Sequence, residues 1–389
     1  MSEHTGKQTE STHTSASYSK HRRTFLKAAA AVGGVAAVGA GASELGFPAI
    51  RTARAETTTW RIQTAWSAGV RGYSVFSAWC NSIVERSGGE LAFKPYSDKE
   101  IVGTFEMLDA CRNGVIEAMN WFTLYGAGKL PATVFLSSYP LGLRQPGEWD
   151  VFFYGLGGLE LTRELYEKQG LYYVGPIQHG PNIIHSQVPL RSIEDFKGRK
   201  MRVPGGMVAE LFTAAGAKTT LLPGSEIFPA MEKGTIDVAD YVGPAVNYDF
   251  GLYQVAKYIS LGPPGFMSIY QPVDLMDLTV NLKTWNALSP NMKEFVETEV
   301  MRYSILHHAA IQQADQEAWP KLEAAGSIIT RLTERDVEAF TKLAVPLWYK
   351  WANKDATAAR AFQIQLNYMM SGSLGYVTPA QVKGQTLTL

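Results

Sequence analysis

The feature that most constrains the fold is a regular alternation of short apolar strands with amphipathic helices. Residues 58–64 and 91–95 have the pattern of strands, and residues 73–85 between them have the pattern of a helix. The same order repeats with a helix over residues 104–111 and a strand over residues 117–120. Strand, helix and strand in this order predict an α/β fold with a mostly parallel sheet covered by helices.

Two extended segments further along the chain predict that it is divided into two lobes. Residues 171–177 and 183–185 have the pattern of strands separated by Gly-Pro turns, and residues 273–281 are extended and apolar with acidic interruptions. Two such crossings leave a cleft between the lobes, which closes about a hinge. We expect lobe I to comprise residues 56–178 and 279–389, and lobe II to comprise residues 179–278.

The carboxyl-terminal part of the chain predicts long helices. Pro290 follows a serine that suits a helix N-cap, and apolar residues then recur at three- and four-residue spacing from Met292 to Ala310. We expect Pro320 to kink or end this helix and Thr333 to cap the next one. The predicted fold is therefore α/β, with two lobes, a central cleft and long carboxyl-terminal helices.

One arginine stands where an α/β sheet binds its ligands. Residues 201–203 form a short apolar strand, and after a double-glycine turn a helix follows that Gly216 closes. Arg202 therefore lies near the carboxyl end of a strand and beside the amino end of a helix, where ligands and negative charge are favoured. Its planar guanidinium matches a carboxylate in two parallel hydrogen bonds. By itself an arginine in such a turn is more often a surface residue, so this assignment depends on the rest of the chain.

The amino-terminal segment has the pattern of an export signal. An Arg-Arg pair at residues 22–23 precedes an unbroken run of alanine, valine and glycine over residues 28–42, which is too short and too weakly apolar to span a membrane. Residues 53–55 supply a small-x-small cleavage site. We therefore predict that residues 1–55 are a twin-arginine signal peptide and that the mature protein is periplasmic. His21 occupies the position before the arginine pair at which serine or threonine is usual. This departure weakens the prediction of the twin-arginine route more than the prediction of export.

Composition disfavours two classes of function. The seven basic and three acidic residues before residue 56 leave 29 basic and 33 acidic residues in the mature chain, a net charge of −4 without a basic field for nucleic acid. The sequence lacks a nucleophile elbow, a phosphate loop with lysine, His-Glu-x-x-His and Cys-x-x-Cys, so an enzyme is disfavoured and no catalytic residue is assigned. Cys80 and Cys111 fall in helical segments, which favours two buried free thiols over a disulfide.

Several other residues are placed to line the cleft. Trp66 follows the first predicted strand, and Trp121 and Tyr125 follow the third, at strand ends where an aromatic ring can enclose an organic acid. Arg144 and Asn247 lie near Gly and Pro turns and are candidates for further polar contacts. Aromatic residues more often belong to a core and polar loop residues are more often solvated, so each of these is a candidate rather than an assignment.

A series of separated motifs, all in the same order, resembles one family. The motifs are ERSGGEL at residues 85–91, DFKGRKMRVPG at 195–205, GSEI at 224–227, GTID at 234–237 and DYVGP at 240–244. This series is similar to the TRAP transporter solute-binding proteins of the DctP type, over roughly residues 60–326. Such proteins catch small organic acids in the periplasm. The resemblance implies a two-lobed periplasmic binding protein fold and a role for Arg202 in pairing with the ligand carboxylate.

Within this family the chain most resembles the branch that binds 2-oxoacids or lactate, in which a metal ion can bridge ligand and protein. Asp240 and Tyr241 stand at the positions of that branch's acidic and tryptophan metal contacts. The branch's glutamine ligand falls at Pro181, which has no side-chain donor or acceptor, and Gln178 and Asn182 are the candidates to replace it. Because of this departure, the sequence leaves open whether Na⁺ or Ca²⁺ bridges the ligand.

The resemblance also implies partners. It predicts capture of a 2-oxoacid, a hydroxyacid or a C4-dicarboxylate through Arg202, for sodium-coupled uptake by a small and a large membrane subunit. Homodimers occur in the 2-oxoacid branch, but the periodicity of this sequence does not determine whether the chain forms one. A ligand receptor for a sensor system shares the fold and is the alternative function. A cofactor enzyme exported by the twin-arginine pathway is the less favoured alternative.

Overall fold

The computed structural model describes residues 56–388, the side chain of Leu374 excepted. The predicted signal peptide and its cleavage site lie outside the described residues. No helix in the described part of the chain combines the length and the apolar character needed to cross a membrane.

Strands of the described chain form two sheets. They are β1 (Thr58–Thr64), β2 (Leu91–Tyr96), β3 (Ala118–Phe122), β4 (Leu171–Gly180), β5 (Ile183–Ser186), β6 (Lys200–Val203), β7 (Lys218–Leu221), β8 (Val238–Tyr241), β9 (Tyr258–Leu261), β10 (Asp274–Asn281) and β11 (Ile328–Arg331). The strand order is β2-β1-β3-β10-β4 in the first sheet and β11-β9-β5-β8-β6-β7 in the second.

Both sheets are mixed rather than mostly parallel. In the first sheet β1 runs parallel to β2 and β3, whereas β10 runs antiparallel to β3 and β4. In the second sheet β6 runs parallel to β7 and β8, whereas β5 runs antiparallel to β8 and β9. The parallel order predicted from residues 58–120 is confirmed for β1, β2 and β3, and β11 also runs parallel to β9, whereas β5 and β10 run against their neighbours because they carry the chain between the sheets.

The two crossings lie side by side. Only Pro181 and Asn182 separate β4 in the first sheet from β5 in the second, and Asp274 at the start of β10 pairs with Gly180 at the end of β4. The observed strands differ from the predicted lobe limits in two respects. The first sheet already includes the chain from Asp274, before residue 279, and β11 pairs with β9 in the second sheet although the sequence predicts residues 279–389 in lobe I.

Helices cover the sheets. They are α1 (Arg71–Arg86), α2 (Met107–Arg112), α3 (Pro146–Asp150), α4 (Gly158–Glu167), α5 (Gly206–Ala214), α6 (Ile227–Glu232), α7 (Pro244–Asp249), α8 (Leu252–Val255), α9 (Leu282–Asn286), α10 (Pro290–Ala324), α11 (Glu334–Ala352) and α12 (Ala356–Met369). Helix α10 contacts β4 of the first sheet and α7 beside the second, so it connects both lobes. It continues through Pro320 to Ala324, and Thr333 caps α11 as predicted.

The core of the first lobe encloses one carboxylate and both thiols. Cys80 and Cys111 are buried and not joined, as the sequence predicts. Asp277 on β10 is fully buried and accepts hydrogen bonds from Trp121 Nε1 at 3.1 Å, from Thr123 at 2.7 Å and from Thr279 at 2.7 Å. Burial nevertheless raises the pKa of Asp277 from its ordinary value of 3.8 to about 7.

The raised pKa of Asp277 predicts that the free energy of unfolding depends on pH. Below pH 4 the carboxyl is protonated in both states, whereas between pH 4 and pH 7 only the unfolded chain ionises, so the stabilisation is lost as the pH rises through about 7. We expect the free energy of unfolding of the wild type, measured relative to Asp277→Asn, to fall across this window and to stay level above it. Urea denaturation at several pH values checks this. Parallel profiles for both proteins would contradict it, and the exposed Glu160→Gln serves as the matched control.

Candidate functional site

The predicted arginine is buried between the two lobes. Arg202 lies near the carboxyl end of β6 with 1% of its surface exposed, and α5 begins four residues later at Gly206. A side chain at Gly206 would crowd Leu124 and Ala127 of the first lobe, so glycine permits the lobes to approach at this point. Arg202 therefore occupies the interface that the two-lobed prediction requires.

Three neutral oxygen atoms hold the Arg202 guanidinium. Its Nε donates to the carbonyl of Leu222 at 2.9 Å, its Nη1 to the carbonyl of Asp240 at 2.6 Å and its Nη2 to the hydroxyl of Tyr125 at 3.2 Å. The ring of Tyr241 lies 5.2 Å from the guanidinium carbon. Among the described residues, no carboxylate oxygen comes within 4.0 Å of this guanidinium. A guanidinium has five N–H donors, so two remain for an anion, one on each terminal nitrogen.

A small cavity lies beside this guanidinium. It offers about 10 Å³ to the centre of a water molecule, and its walls are Phe122, Leu124, Tyr125, Asn182, Arg202, Pro204, Tyr241, Val242 and Asp274. Tyr241 packs directly over Gly224, where any side chain would collide with its ring. The sequence candidates Arg202, Tyr125, Asn182 and Tyr241 are thus brought together. Because the space admits about one water molecule, a ligand requires the lobes to separate first.

Asp240 presents unpartnered oxygen atoms behind this cavity. Its backbone carbonyl binds Arg202, but both oxygens of its buried carboxyl group lack a hydrogen-bond partner, and so does Oδ1 of Asn182. Burial raises the pKa of Asp240 well above its ordinary value, although the positive charge of Arg202 opposes the shift. Buried oxygen atoms without partners are costly and suit a hard cation, so this donor set fits Na⁺ or Ca²⁺.

Asp274 is a cavity residue that the sequence did not single out. One of its oxygens accepts from Ser137 at 2.8 Å, and the other lies 3.5 Å from His179 Nε2 and 3.4 Å from Asn182 Nδ2. The only sequence signal is an acidic residue at the start of an otherwise apolar crossing strand. Among residues 56–388, histidine, cysteine and acidic residues do not gather into a set of three or more around one point that could hold a metal.

The remaining candidates lie outside this cavity. Trp66 is fully buried against Phe122 at a ring distance of 5.0 Å, and Trp121 donates to Asp277 in the core. Asn247 Nδ2 donates to the carbonyl of Val242 at 2.6 Å, at the start of α7. Each of these side chains has a structural contact that explains its position.

Gln178 and Arg144 line other cavities instead. Gln178 Nε2 donates to Asp150 at 2.6 Å, in a pocket between α3 and α10. Arg144 lines another cavity, together with Pro181. Asn182, rather than Gln178, is therefore the amide that reaches the Arg202 cavity.

Polar contacts join the two lobes around the cavity. Asp98 of the first lobe accepts from the hydroxyl of Ser225 at 2.9 Å, and Lys99 pairs with Glu226 at 2.7 Å. On another side, the backbone N–H of Arg71 donates to Asp249 at 2.8 Å. These contacts, like the hydrogen bond from Arg202 to the Tyr125 hydroxyl, join residues of one lobe to residues of the other, so separation of the lobes would break them.

The fold and the buried interlobe arginine define a two-lobed ligand-binding receptor. Residues 63–355 match the family model described as bacterial extracellular solute-binding protein, family 7, DctP. The chain belongs to this family. Members of the family are solute-binding receptors, so the chain is a binding protein and not an enzyme.

Relatives and solved structures agree with this fold. A monocarboxylate 2-oxoacid-binding periplasmic protein of Nostoc is 26% identical over 305 residues, which cover 78% of this chain and 82% of the relative. A TRAP transporter solute-binding protein of Bordetella bronchiseptica, a dimer with calcium and picolinate at one site, is similar with a TM-score of 0.74 and 24% identity, covering 80% and 93% of the two chains. A Pseudoalteromonas atlantica protein with bound sodium and pyruvate is similar with a TM-score of 0.73 and 21% identity. The match covers 80% of this chain and 94% of that protein.

The contacts across the cleft predict a shift toward the open form when they are removed. An exposed ion pair and one hydrogen bond together stabilise the closed form modestly, so Lys99→Ala with Ser225→Ala should raise the ratio of open to closed molecules by roughly threefold to tenfold. Small-angle X-ray scattering of the ligand-free protein measures this as a larger radius of gyration. Arg61→Ala, which removes an ion pair with Glu117 inside the first lobe, is the control and should change nothing. Equal radii for all three proteins would show that these contacts do not hold the lobes.

Proposed function

We propose that this protein is the periplasmic receptor of a TRAP transporter and that it captures a small organic acid through Arg202. The observation that carries the proposal is a guanidinium buried between two lobes, held by neutral oxygens and left with two free donors. A buried charge is costly unless it is paired, so an anionic ligand accounts for its retention. Family membership and the 2-oxoacid-binding relative support the same ligand class.

The lining of the cavity favours a small monocarboxylate. The closed cavity admits about one water molecule, so an acid enters while the lobes are apart, and the lining rather than the closed volume selects the ligand. Phe122, Leu124 and Val242 supply an apolar wall for a short carbon chain. We therefore propose a 2-oxoacid or hydroxyacid such as pyruvate or lactate, rather than a C4-dicarboxylate.

Binding then proceeds by lobe closure. In the open form Arg202 keeps its bonds to the Leu222 and Asp240 carbonyls, because all three residues belong to the second lobe. Tyr125 comes from the first lobe, so its hydroxyl reaches the guanidinium only when the lobes close. Closure excludes water, and the pairing between guanidinium and carboxylate becomes stronger as the local dielectric constant falls. The ligand leaves chemically unchanged when the lobes reopen.

The charges around the cavity favour a cation that binds with the ligand. Asp240 and Asp274 bring two carboxyl groups near one guanidinium. Burial raises the pKa of Asp240, and a cation would favour its ionised form and offset the charge of a bound carboxylate. The unpartnered oxygens of Asp240 and Asn182, with the Tyr241 backbone, are the groups that would hold Na⁺ or Ca²⁺. When bound, such a cation offsets the negative charge and bridges ligand and protein. Solved structures of relatives with sodium and pyruvate, or calcium and pyruvate, support this proposal.

The proposal includes export and partners. A twin-arginine signal over residues 1–55 would deliver the folded receptor to the periplasm, where its closed form docks on a small and a large membrane subunit that couple uptake to sodium. A dimer, seen in the Bordetella structure, is also proposed. Mass spectrometry of the exported protein should find a chain that begins near Glu56. Export of a variant with Arg22 and Arg23 both changed to Lys, at the wild-type level, would reject the twin-arginine route.

Arg202→Ala tests the arginine assignment. Loss of a charge-assisted pair should weaken pyruvate binding by roughly tenfold to a thousandfold, measured by isothermal titration calorimetry. Arg202→Lys keeps the charge but loses the planar fork, so its affinity should lie between the other two. Arg199→Ala, on the same segment but outside the cavity, is the matched control. Wild-type affinity in Arg202→Ala, with a cooperative melt, would overturn the assignment.

Asp240→Asn tests the bridging cation. In the wild type, removal of Na⁺ and Ca²⁺ with a chelator and choline buffer should weaken pyruvate binding at least tenfold, and one of the two cations should restore it. The asparagine variant should lose this response because one ligand oxygen and its charge are gone. Glu232→Gln, an exposed acidic residue on α6, should respond like the wild type. Cation-independent binding by the wild type would reject the cation and leave the role of Arg202 intact.

A further inference from the structure

A second cavity lies at the hinge, on the other side of the two crossing segments. Its volume is about 330 Å³, whereas the volume of the cavity beside Arg202 is about 10 Å³. Its walls come from both crossings, from both lobes and from α10: Arg144, Gln145, Pro146, Gly180, Pro181, Gly265, Phe266, Met267, Ser268, Pro272, Val273, His308 and Gln312. We call this cavity the hinge pocket.

The hinge pocket and the Arg202 cavity share a wall. Pro181 and Val273 line the hinge pocket, whereas the next residues along each crossing, Asn182 and Asp274, line the Arg202 cavity. Successive residues of extended chain point in opposite directions, which places Pro181 and Asn182, and likewise Val273 and Asp274, on opposite sides of each crossing segment. The two cavities are therefore separate spaces divided by the same two segments of chain.

Arg144 gives the hinge pocket a free positive charge. Its guanidinium carbon lies 3.9 Å from the centre of the Tyr376 ring and 5.6 Å from that of Phe266. In the described chain no carboxylate oxygen lies within 4.0 Å of this guanidinium, and its side-chain N–H groups make no hydrogen bond to protein atoms. The nearest acidic partner, Glu148, is engaged by the backbone N–H of Arg144 and by the Tyr376 hydroxyl. Burial lowers the pKa of Arg144, as expected for a guanidinium partly removed from water without a partner.

The remaining lining suits an anion with an apolar body. Arg144 is the one permanently charged residue among the lining residues, and none of them is acidic. Gln145, Ser268 and Gln312 supply polar groups, while Phe266, Met267, the prolines and Val273 supply apolar surface. A volume of about 330 Å³ is in the range of small-molecule sites, which are largely apolar with a few fixed polar groups.

We propose that the hinge pocket is a second binding site, which takes a small organic anion whose carboxylate pairs with Arg144 and whose apolar part lies against Phe266 and Val273. A guanidinium stacked between rings is already oriented, so it can bind a carboxylate with little further ordering. Because both crossings form its wall, an occupant contacts the segments about which the lobes move. This site is independent of the ligand proposed for Arg202.

Fluorine NMR with 4-fluorobenzoate as the probe tests the hinge pocket. The wild type should bind the probe saturably at millimolar concentration or below. Arg144→Gln should weaken this binding at least tenfold, the loss expected for one charge-assisted pair. Arg202→Ala, which alters only the other cavity, should bind the probe within twofold of the wild type. Gln145→Glu places a negative charge at the exposed rim without removing core packing, so it should weaken binding as well and decides the matter if Arg144→Gln fails to fold.

Three results would each overturn this proposal. They are the absence of saturable binding by the wild type, wild-type affinity in both Arg144→Gln and Gln145→Glu, and loss of binding in Arg202→Ala equal to that in Arg144→Gln. The last result would place the probe in the Arg202 cavity.

Discussion

The central feature of this structure is a guanidinium that is buried without a carboxylate partner. Arg202 is 1% exposed, and only neutral oxygens hold it. Each of these oxygens depends on a larger feature of the fold. The Asp240 carbonyl depends on the parallel pairing of β6 and β8, the Leu222 carbonyl on the turn after β7, and the Tyr125 hydroxyl on the approach of the other lobe. The unpaired charge and the closure of the lobes are thus linked, and the proposed anion would pair with the charge in the closed form.

The two crossing segments distribute polar groups between two spaces. Asn182 and Asp274 face the Arg202 cavity, whereas Pro181 and Val273 face the hinge pocket. Helix α10 packs on both lobes and contributes His308 and Gln312 to the hinge pocket, so it forms part of the same hinge. Both cavities therefore border the same two segments of chain.

Local sequence patterns predicted most of the elements and part of the site. The strand before Arg202, the helix after it and the cap at Thr333 each follow from contiguous residues, and the structure has them at nearly the same bounds. Tyr125, Asn182 and Tyr241 reach the same cavity because they follow strands that end at the lobe interface. The resemblance to the family, carried by several motifs in order, identified the class of receptor.

Local sequence patterns could not predict the contacts that depend on the register between distant segments. Asp274 reaches the cavity because β10 pairs antiparallel with β4, opposite Gly180, and no local pattern encodes that pairing. Trp121 turns into the core because Asp277, far along the chain, accepts its N–H, and Arg144 joins the hinge pocket because Tyr376 and Phe266 stack on it. For Trp121 and Arg144, the direction of the side chain rather than its position in the sequence separates the residue from the Arg202 cavity.

A crystal structure of the mature protein grown with pyruvate and calcium tests most directly whether Arg202 binds the ligand. We expect the pyruvate carboxylate within about 3 Å of the two terminal nitrogens of Arg202, with Tyr125 and Tyr241 against it. Pyruvate bound elsewhere between the lobes, with the Arg202 donors directed only to protein or water, would contradict it.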